Sequence, residues 1–320
     1  MSGVYGKFEL ANAQYSDNLC LMEVKVIDLQ FQGRVGVIAA YLVQGRGTHV
    51  LIETGPESTR EQLLAGLLEH GVRPEELAGV FVTHIHLDHA GAAGWFAEQG
   101  VPLFVHEKGS RHLVNPSRLV ESARDVYGER FDALWGDMVP ASAEFVHPLT
   151  DGAVTEIAGL RVEAIATPGH AFHHHAYRIG GALFAGDAAG ARLDLTSYTS
   201  VTSAPPQFDL DYTLASIKRL RAVAPEILYL THFGAVPNPL DHLTAYHDAV
   251  VMNAEFIRER MSEGFDPASL QVAYEAFQLE QALRHGLPRD DWDRYEVING
   301  TAMCADGLRL YWEKQTGAES

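Results

Sequence analysis

Thr83-His84-Ile85-His86-Leu87-Asp88-His89 places three imidazoles and one carboxylate within six residues, in the spacing H-x-H-x-D-H. The segment follows GVFVT at 79–83, an apolar, β-branched run that reads as a strand, and enters the small-residue stretch AGAAG at 90–94. With 16 histidines in 320 residues, chance yields such a run in about one chain of five hundred. As an exposed polar loop it would gain little, and its imidazoles would repel one another when protonated. Neutral imidazole and carboxylate are good ligands for zinc and similar divalent ions. Alternate residues of an extended segment share a side, so His84 and His86 can hold one ion. Asp88 and His89 come where the chain turns into AGAAG, whose glycines permit a tight bend, and can face a second ion nearby.

Three later positions repeat the arrangement. His170 in TPGH follows the strand-like RVEAIA at 161–166, Asp187 follows GALFAG at 181–186, and His232 follows EILYL at 226–230. Layered α/β architectures build sites at the carboxyl ends of strands, so ligands far apart in the chain can converge there. One site with seven ligands, His84, His86, Asp88, His89, His170, Asp187 and His232, is the economical reading.

The rest of the chain supplies the frame. VGVIAAYLV at 35–43 and THVLIE at 48–53 flank Gly45-Arg46-Gly47 and read as a hairpin opening the fold. Ser58-Thr59-Arg60-Glu61 has the form of a capping box before leucines at helical spacing and a stop at Gly71, which predicts a helix over 58–70. VPLFVH at 101–106 and HAYRI at 175–179 are further strands, and 107–140 reads as helix or loop. DLDYTLASIKRLRAVA at 209–224 predicts a helix ending at Pro225. This alternation indicates an α/β protein. From Asp241 the pattern is helical, so the division expected is a catalytic domain over 1–240 and a helical extension over 241–320, capping the site's mouth or forming a homodimer contact. His242 and His247 in that extension, five residues apart, read as surface residues.

The formal charge of −18, from 24 basic against 42 acidic residues, disfavours nucleic acid as a ligand. No stretch approaches the ~18 apolar residues of a membrane span, and MSGVYGKFELANAQYSDN at the N-terminus has no signal-peptide pattern, so a cytoplasmic protein with a small-molecule substrate is expected. The two cysteines, Cys20 and Cys304, read as buried thiols.

The ordered series H-x-H-x-D-H, His, Asp, His resembles the metallo-β-lactamase superfamily, over about residues 22–240. The resemblance implies a four-layer αβ/βα sandwich, an α/β fold, with one metal on His84, His86 and His170, a second on Asp88, His89 and His232, and Asp187 bridging them. It implies two divalent metal ions, zinc first, with iron or manganese also compatible with such ligands. A metal-bridging hydroxide, oriented by the catalytic Asp88, would cleave an ester, thioester or lactone. THIHLDHAGAAG, TPGH with its following histidines and the helical tail look most like uncharacterised glyoxalase II-like hydrolases. Glu53 departs from the family's usual Asp before Thr-Gly, adding a methylene where the ligand loop is supported. No cysteine occupies a ligand position, which disfavours a β-lactam substrate, and no NPFLR-like segment points to glutathione. Lactone-cleaving relatives carry a tyrosine soon after the bridging Asp; here Tyr198 comes later, a substrate contact or a structural aromatic. His174, within His173-His174-His175, is likewise a substrate contact or a hydrogen-bonding residue at a strand start. The alternative is a persulfide dioxygenase-like oxidoreductase with one iron on His84, His170 and Asp187.

Overall fold

The computed structural model describes residues 22–45, 47, 49–157, 159–193 and 196–317. Cys20, Arg46 and Thr48 lie outside the described residues. A six-stranded sheet runs in chain order through β1 (Glu23–Asp28), β2 (Ala39–Gln44), β3 (His49–Ile52), β4 (Leu77–Phe81), β5 (Leu103–His106) and β6 (Val146–Leu149). Its first two pairings are antiparallel and the other three parallel. The second sheet comprises β7 (Val154–Ile157), β8 (Leu160–Ala166), β9 (His175–Ile179), β10 (Ala182–Phe184), β11 (Ile227–Leu230) and β12 (Gly234–Val236), antiparallel except for β10 with β11.

Parallel neighbours need crossovers, and the helices supply them. The connections are α1 (Arg60–Glu69) between β3 and β4, α2 (Leu87–Ala90) and α3 (Ala93–Glu98) before β5, and α4 (Glu107–Val114), α5 (Ser117–Tyr127) and α6 (Phe131–Leu134) before β6. α7 (Leu210–Val223) joins β10 to β11, with the Asp209 carboxylate accepting from Tyr212 N–H as its N-cap. Side chains alternate along β2: Tyr41 and Val43 face the second sheet, packing with Phe81, Tyr177 and Phe184, while Leu42 joins Leu63, Leu67 and Phe96 under the outer helices. On the far side, Leu183, Leu228 and Leu230 pack against Ile217 and Leu220 of α7. The result is the four-layer sandwich expected, helix–sheet–sheet–helix.

The tail forms α8 (Pro239–Ser262), α9 (Pro267–Arg284), α10 (Trp292–Ile298) and α11 (Thr301–Gly317). Tyr246, Val250, Tyr274, Cys304 and Leu308 from these helices share the core of α7 and the second sheet. Among the described residues, no helix is long and apolar enough to cross a membrane.

Three expectations change. The fold opens on β1, ahead of the hairpin, and β1, β6, β7 and β12 are short strands whose half-exposed faces carry weak patterns. The capping box does not form: Thr59 donates its hydroxyl to Pro56 O (3.0 Å) and Ser58 to Leu134 O (2.6 Å). His242 is buried rather than exposed, donating to Ala189 O (2.9 Å), because α8 packs inward there. Cys304, by contrast, is buried as expected, with its thiol pushed up to about 12 by that burial.

Candidate metal centre

All seven ligand candidates follow the carboxyl ends of strands from the two sheets: four after β4 of the first, and His170, Asp187 and His232 after β8, β10 and β11 of the second. Their donor atoms fall into overlapping groups, each within 4.8 Å: His84, His86 and His170; His84, His89 and Asp187; Asp88, His89 and His232. In the first, His86 Nδ1 lies 2.9 Å from both His84 Nε2 and His170 Nε2. In the last, Asp88 Oδ2 lies 3.2 Å from His232 Nε2 and 3.5 Å from His89 Nε2. Asp187 stands between, with Oδ2 3.4 Å from His170 Nε2 and Oδ1 3.4 and 3.5 Å from the Nε2 atoms of His89 and His232. Four ligands at ~2.0 Å in a tetrahedron lie ~3.3 Å apart, so these separations suit divalent ions.

The hydrogen bonds at the back of the site choose the tautomers. His84 Nδ1–H donates to Thr83 Oγ1 (3.1 Å), whose own proton goes to Glu53 Oε1 (2.6 Å). His89 Nδ1–H donates to Glu53 Oε1 (2.9 Å), His170 Nδ1–H to Thr202 O (3.0 Å) and His232 Nδ1–H to Val37 O (3.2 Å). Four imidazoles therefore turn a bare Nε2 lone pair toward the two carboxylates. His89 Nε2 and Asp187 Oδ1 are buried without a hydrogen-bond partner. Lone pairs crowded without donors are costly unless a cation draws them in, so this donor set fits metal ions.

The electrostatics agree. Burial, reinforced by neighbouring imidazoles, holds His84 and His86 well below the usual imidazole range and keeps them neutral. Burial also lowers His89 and His232, but their carboxylate neighbours outweigh it and raise both. Burial would raise Asp88 and Asp187, yet the surrounding imidazoles hold both down. This half of the site demands positive charge, which divalent ions provide once the imidazoles release their protons.

Glu53 keeps the ligand loop supported despite its extra methylene. It is fully buried and accepts from His89, Thr83 Oγ1, Thr231 Oγ1 (3.1 Å) and Thr83 N–H (3.1 Å). Next to it, Thr54 N–H donates to His89 O (2.8 Å). Gly186, at φ +50°, allows β10 to close on this network, since a Cβ there would meet Thr83 Oγ1 at 2.5 Å and His174 Nε2 at 2.8 Å.

Neither expected substrate contact faces the site. His174 is fully buried, donating Nδ1–H to Thr167 Oγ1 (2.7 Å) and accepting Asp187 N–H at Nε2 (3.2 Å), so it positions Asp187. Tyr198 is buried against Trp292 and Tyr295, with its hydroxyl donated to Gln278 Oε1 (2.7 Å). Sequence reasoning missed the threonines Thr83, Thr167, Thr202 and Thr231. Three of them stand inside the very motifs that carry ligands, Thr83 and Thr231 immediately before a histidine and Thr167 opening TPGH.

Comparison with known proteins places this geometry. A model of the metallo-beta-lactamase superfamily matches residues 33–232. A metallo-beta-lactamase fold-containing protein of Sulfurisphaera tokodaii is 26% identical over 166 residues, covering 51% of this chain and 62% of that protein. A hydroxyacylglutathione hydrolase of Vibrio cholerae is 27% identical over 201 residues, covering 58% of this chain and 66% of the enzyme. The chain thus spans just under two thirds of the length of these curated relatives. A crystal structure of a metallo-beta-lactamase family protein from Thermus thermophilus superposes with a TM-score of 0.65 at 22% identity, covering 92% of this chain and 94% of that one, a likeness of fold.

Proposed function

This chain belongs to the metallo-beta-lactamase superfamily, and on that premise we propose that it is a dinuclear metal hydrolase cleaving an ester, thioester or lactone of a small molecule. The observation that carries the reading is the double set of bare lone pairs. His84, His86 and His170 would hold one ion, Asp88, His89 and His232 the other, and the two oxygens of Asp187 face both groups. Zinc is the expected metal. Bound there, two divalent ions supply Lewis acidity toward a carbonyl oxygen and a water acidic enough to attack near neutral pH.

The chain's own part is orientation and proton handling. Asp88, with 17% of its side chain exposed against 6% for Asp187, stands at the mouth and is the carboxylate placed to orient the attacking water and take its proton. Glu53, His174 and the threonines fix ligand rotamers from behind. The alternative with one iron on His84, His170 and Asp187 assigns no metal to Asp88, His89 and His232, whose donor atoms also converge within 4.8 Å.

Elemental analysis of protein purified without added metal tests this directly. Two zinc or manganese ions per chain, with turnover on a panel of esters, thioesters and lactones, is the expected result. Asp88→Ala should lower kcat/KM by about 10²–10⁴ while the circular dichroism spectrum persists. A single iron per chain with oxygen uptake on a glutathione persulfide would overturn the proposal in favour of the dioxygenase.

A further inference from the structure

A cavity of about 460 Å³ lies beside the ligand cluster, lined by Glu107, Lys108, Arg111, His112, Phe172, His173 and Gln207. It adjoins the metal ligands directly: the His173 ring centroid is 5.8 Å from that of His86 and 6.2 Å from that of His84. α4 forms one wall and lies on the ligand loop, since a Cβ at Gly109 would come within 2.8 Å of Ile85 Cγ2. Its volume is that of a small-molecule site.

The wall is basic in a chain of net charge −18. Lys108, Arg111 and His112 stand at i, i+3 and i+4 and so share one face of α4. Among the described residues, neither Lys108 nor Arg111 has a carboxylate within ion-pair distance, although Glu107 is in the same wall. Arg111 spends only its Nε–H, donated to His112 Nε2 at 3.1 Å, which leaves the guanidinium fork available. Phe172, which lines the same cavity, is 42% exposed and offers it an apolar ring. Gln207 accepts Phe172 N–H at Oε1 (3.2 Å), so its amide NH₂ remains a donor.

We propose that this cavity selects the substrate, and that the enzyme takes acyl compounds carrying a carboxylate a few bonds from the scissile carbonyl. Lys108 and Arg111 hold the carboxylate, and Phe172 covers the chain between. The proposal rests on the hydrolase reading for its kinetic readout and is independent of it for its binding readout.

The kinetic test uses two matched pairs: 4-nitrophenyl butyrate against mono-4-nitrophenyl succinate, and S-acetyl ethanethiol against S-acetyl-3-mercaptopropionate. The first varies the acyl part, the second the leaving part. The wild type should prefer the anionic member of at least one pair, and Lys108→Ala/Arg111→Ala should shrink that ratio of kcat/KM values by about tenfold or more. Lys108→Glu/Arg111→Glu should invert it. A structural defect would lower both members together and leave the ratio unchanged. Titration calorimetry of the zinc-loaded protein with glutarate supplies the second readout. Binding lost in the alanine variant supports the pocket even if no ester is cleaved, an outcome that removes only the hydrolase reading. Hydrolysis without anionic preference in either pair, or glutarate binding absent or equal in wild type and variant, overturns the pocket while the hydrolase stands.

Discussion

Replacing Glu53 by Gln asks how much of the metal centre depends on one buried side chain. The substitution preserves shape and removes charge. With the amide oxygen at the Oε1 position, the bonds from His89 Nδ1–H, Thr83 Oγ1 and Thr231 Oγ1 survive as neutral ones, while the amide NH₂ meets Thr83 N–H, which Oε2 accepts in the native protein. Turning a charge-assisted bond into a neutral one forfeits about 1 kcal/mol, and a buried N–H left without an acceptor costs about 1–3 kcal/mol. Only the His89 bond acts on a ligand of the second set. Its share, about 1–1.5 kcal/mol, corresponds to about a tenfold weaker second metal, within the 10–100-fold range for such supporting residues. The remainder should appear as lost stability of about 3–5 kcal/mol, a fall in Tm of several degrees. Competition with a chromophoric chelator should then show an ion released at lower chelator concentration than in the wild type. Two ions held with wild-type affinities in a folded Glu53→Gln protein would refute the assignment of Glu53 as the support of His89.

Two further outcomes follow from the geometry. His242 donates to Ala189 O from a buried position, and burial pushes its pKa from 6.5 down to about 4. Between those values the unfolded chain binds a proton that the native chain refuses, so this residue's effect is absent above about pH 6.5 and destabilises increasingly as pH falls toward 4. At pH 5 the loss is about 2 kcal/mol, and urea unfolding should show a smaller drop from pH 7 to pH 5 in His242→Gln; equal drops would exclude the buried neutral state. Gly186→Ala should cost about 1–3 kcal/mol and reduce metal content, because its Cβ collides with Thr83 and His174. Gly180→Ala, at φ +58° with nothing within 4 Å, should cost about 1 kcal/mol of backbone strain and leave metal content intact.

Much of the frame was legible because it is written in short-range patterns. β9 occupies 175–179 as read, α7 begins one residue inside its predicted range behind the Asp209 cap, and every ligand candidate follows a strand that was anticipated. β1, β6, β7 and β12 escaped notice because a strand of three to six residues with one wet face carries few apolar positions. The capping box failed as a signal because Ser58 and Thr59 found carbonyl partners elsewhere, at Leu134 and Pro56.

The seven ligand candidates themselves were legible in the sequence alone: unusual residue types at tight spacing, or directly after apolar runs, announce themselves without knowledge of packing. Which nitrogen each imidazole presents was decided only by the tertiary structure. That choice depends on ordinary residues brought in from far along the chain, such as Thr231, which reaches Glu53 across 178 positions, and Val37, whose carbonyl meets His232 across 195. The same holds for His174 and Tyr198, whose chemistry suited substrate contact until burial committed their polar atoms to Asp187 and Gln278. Ligand identity is a property of the side chain, whereas orientation and exposure belong to the neighbours that folding assembles around it.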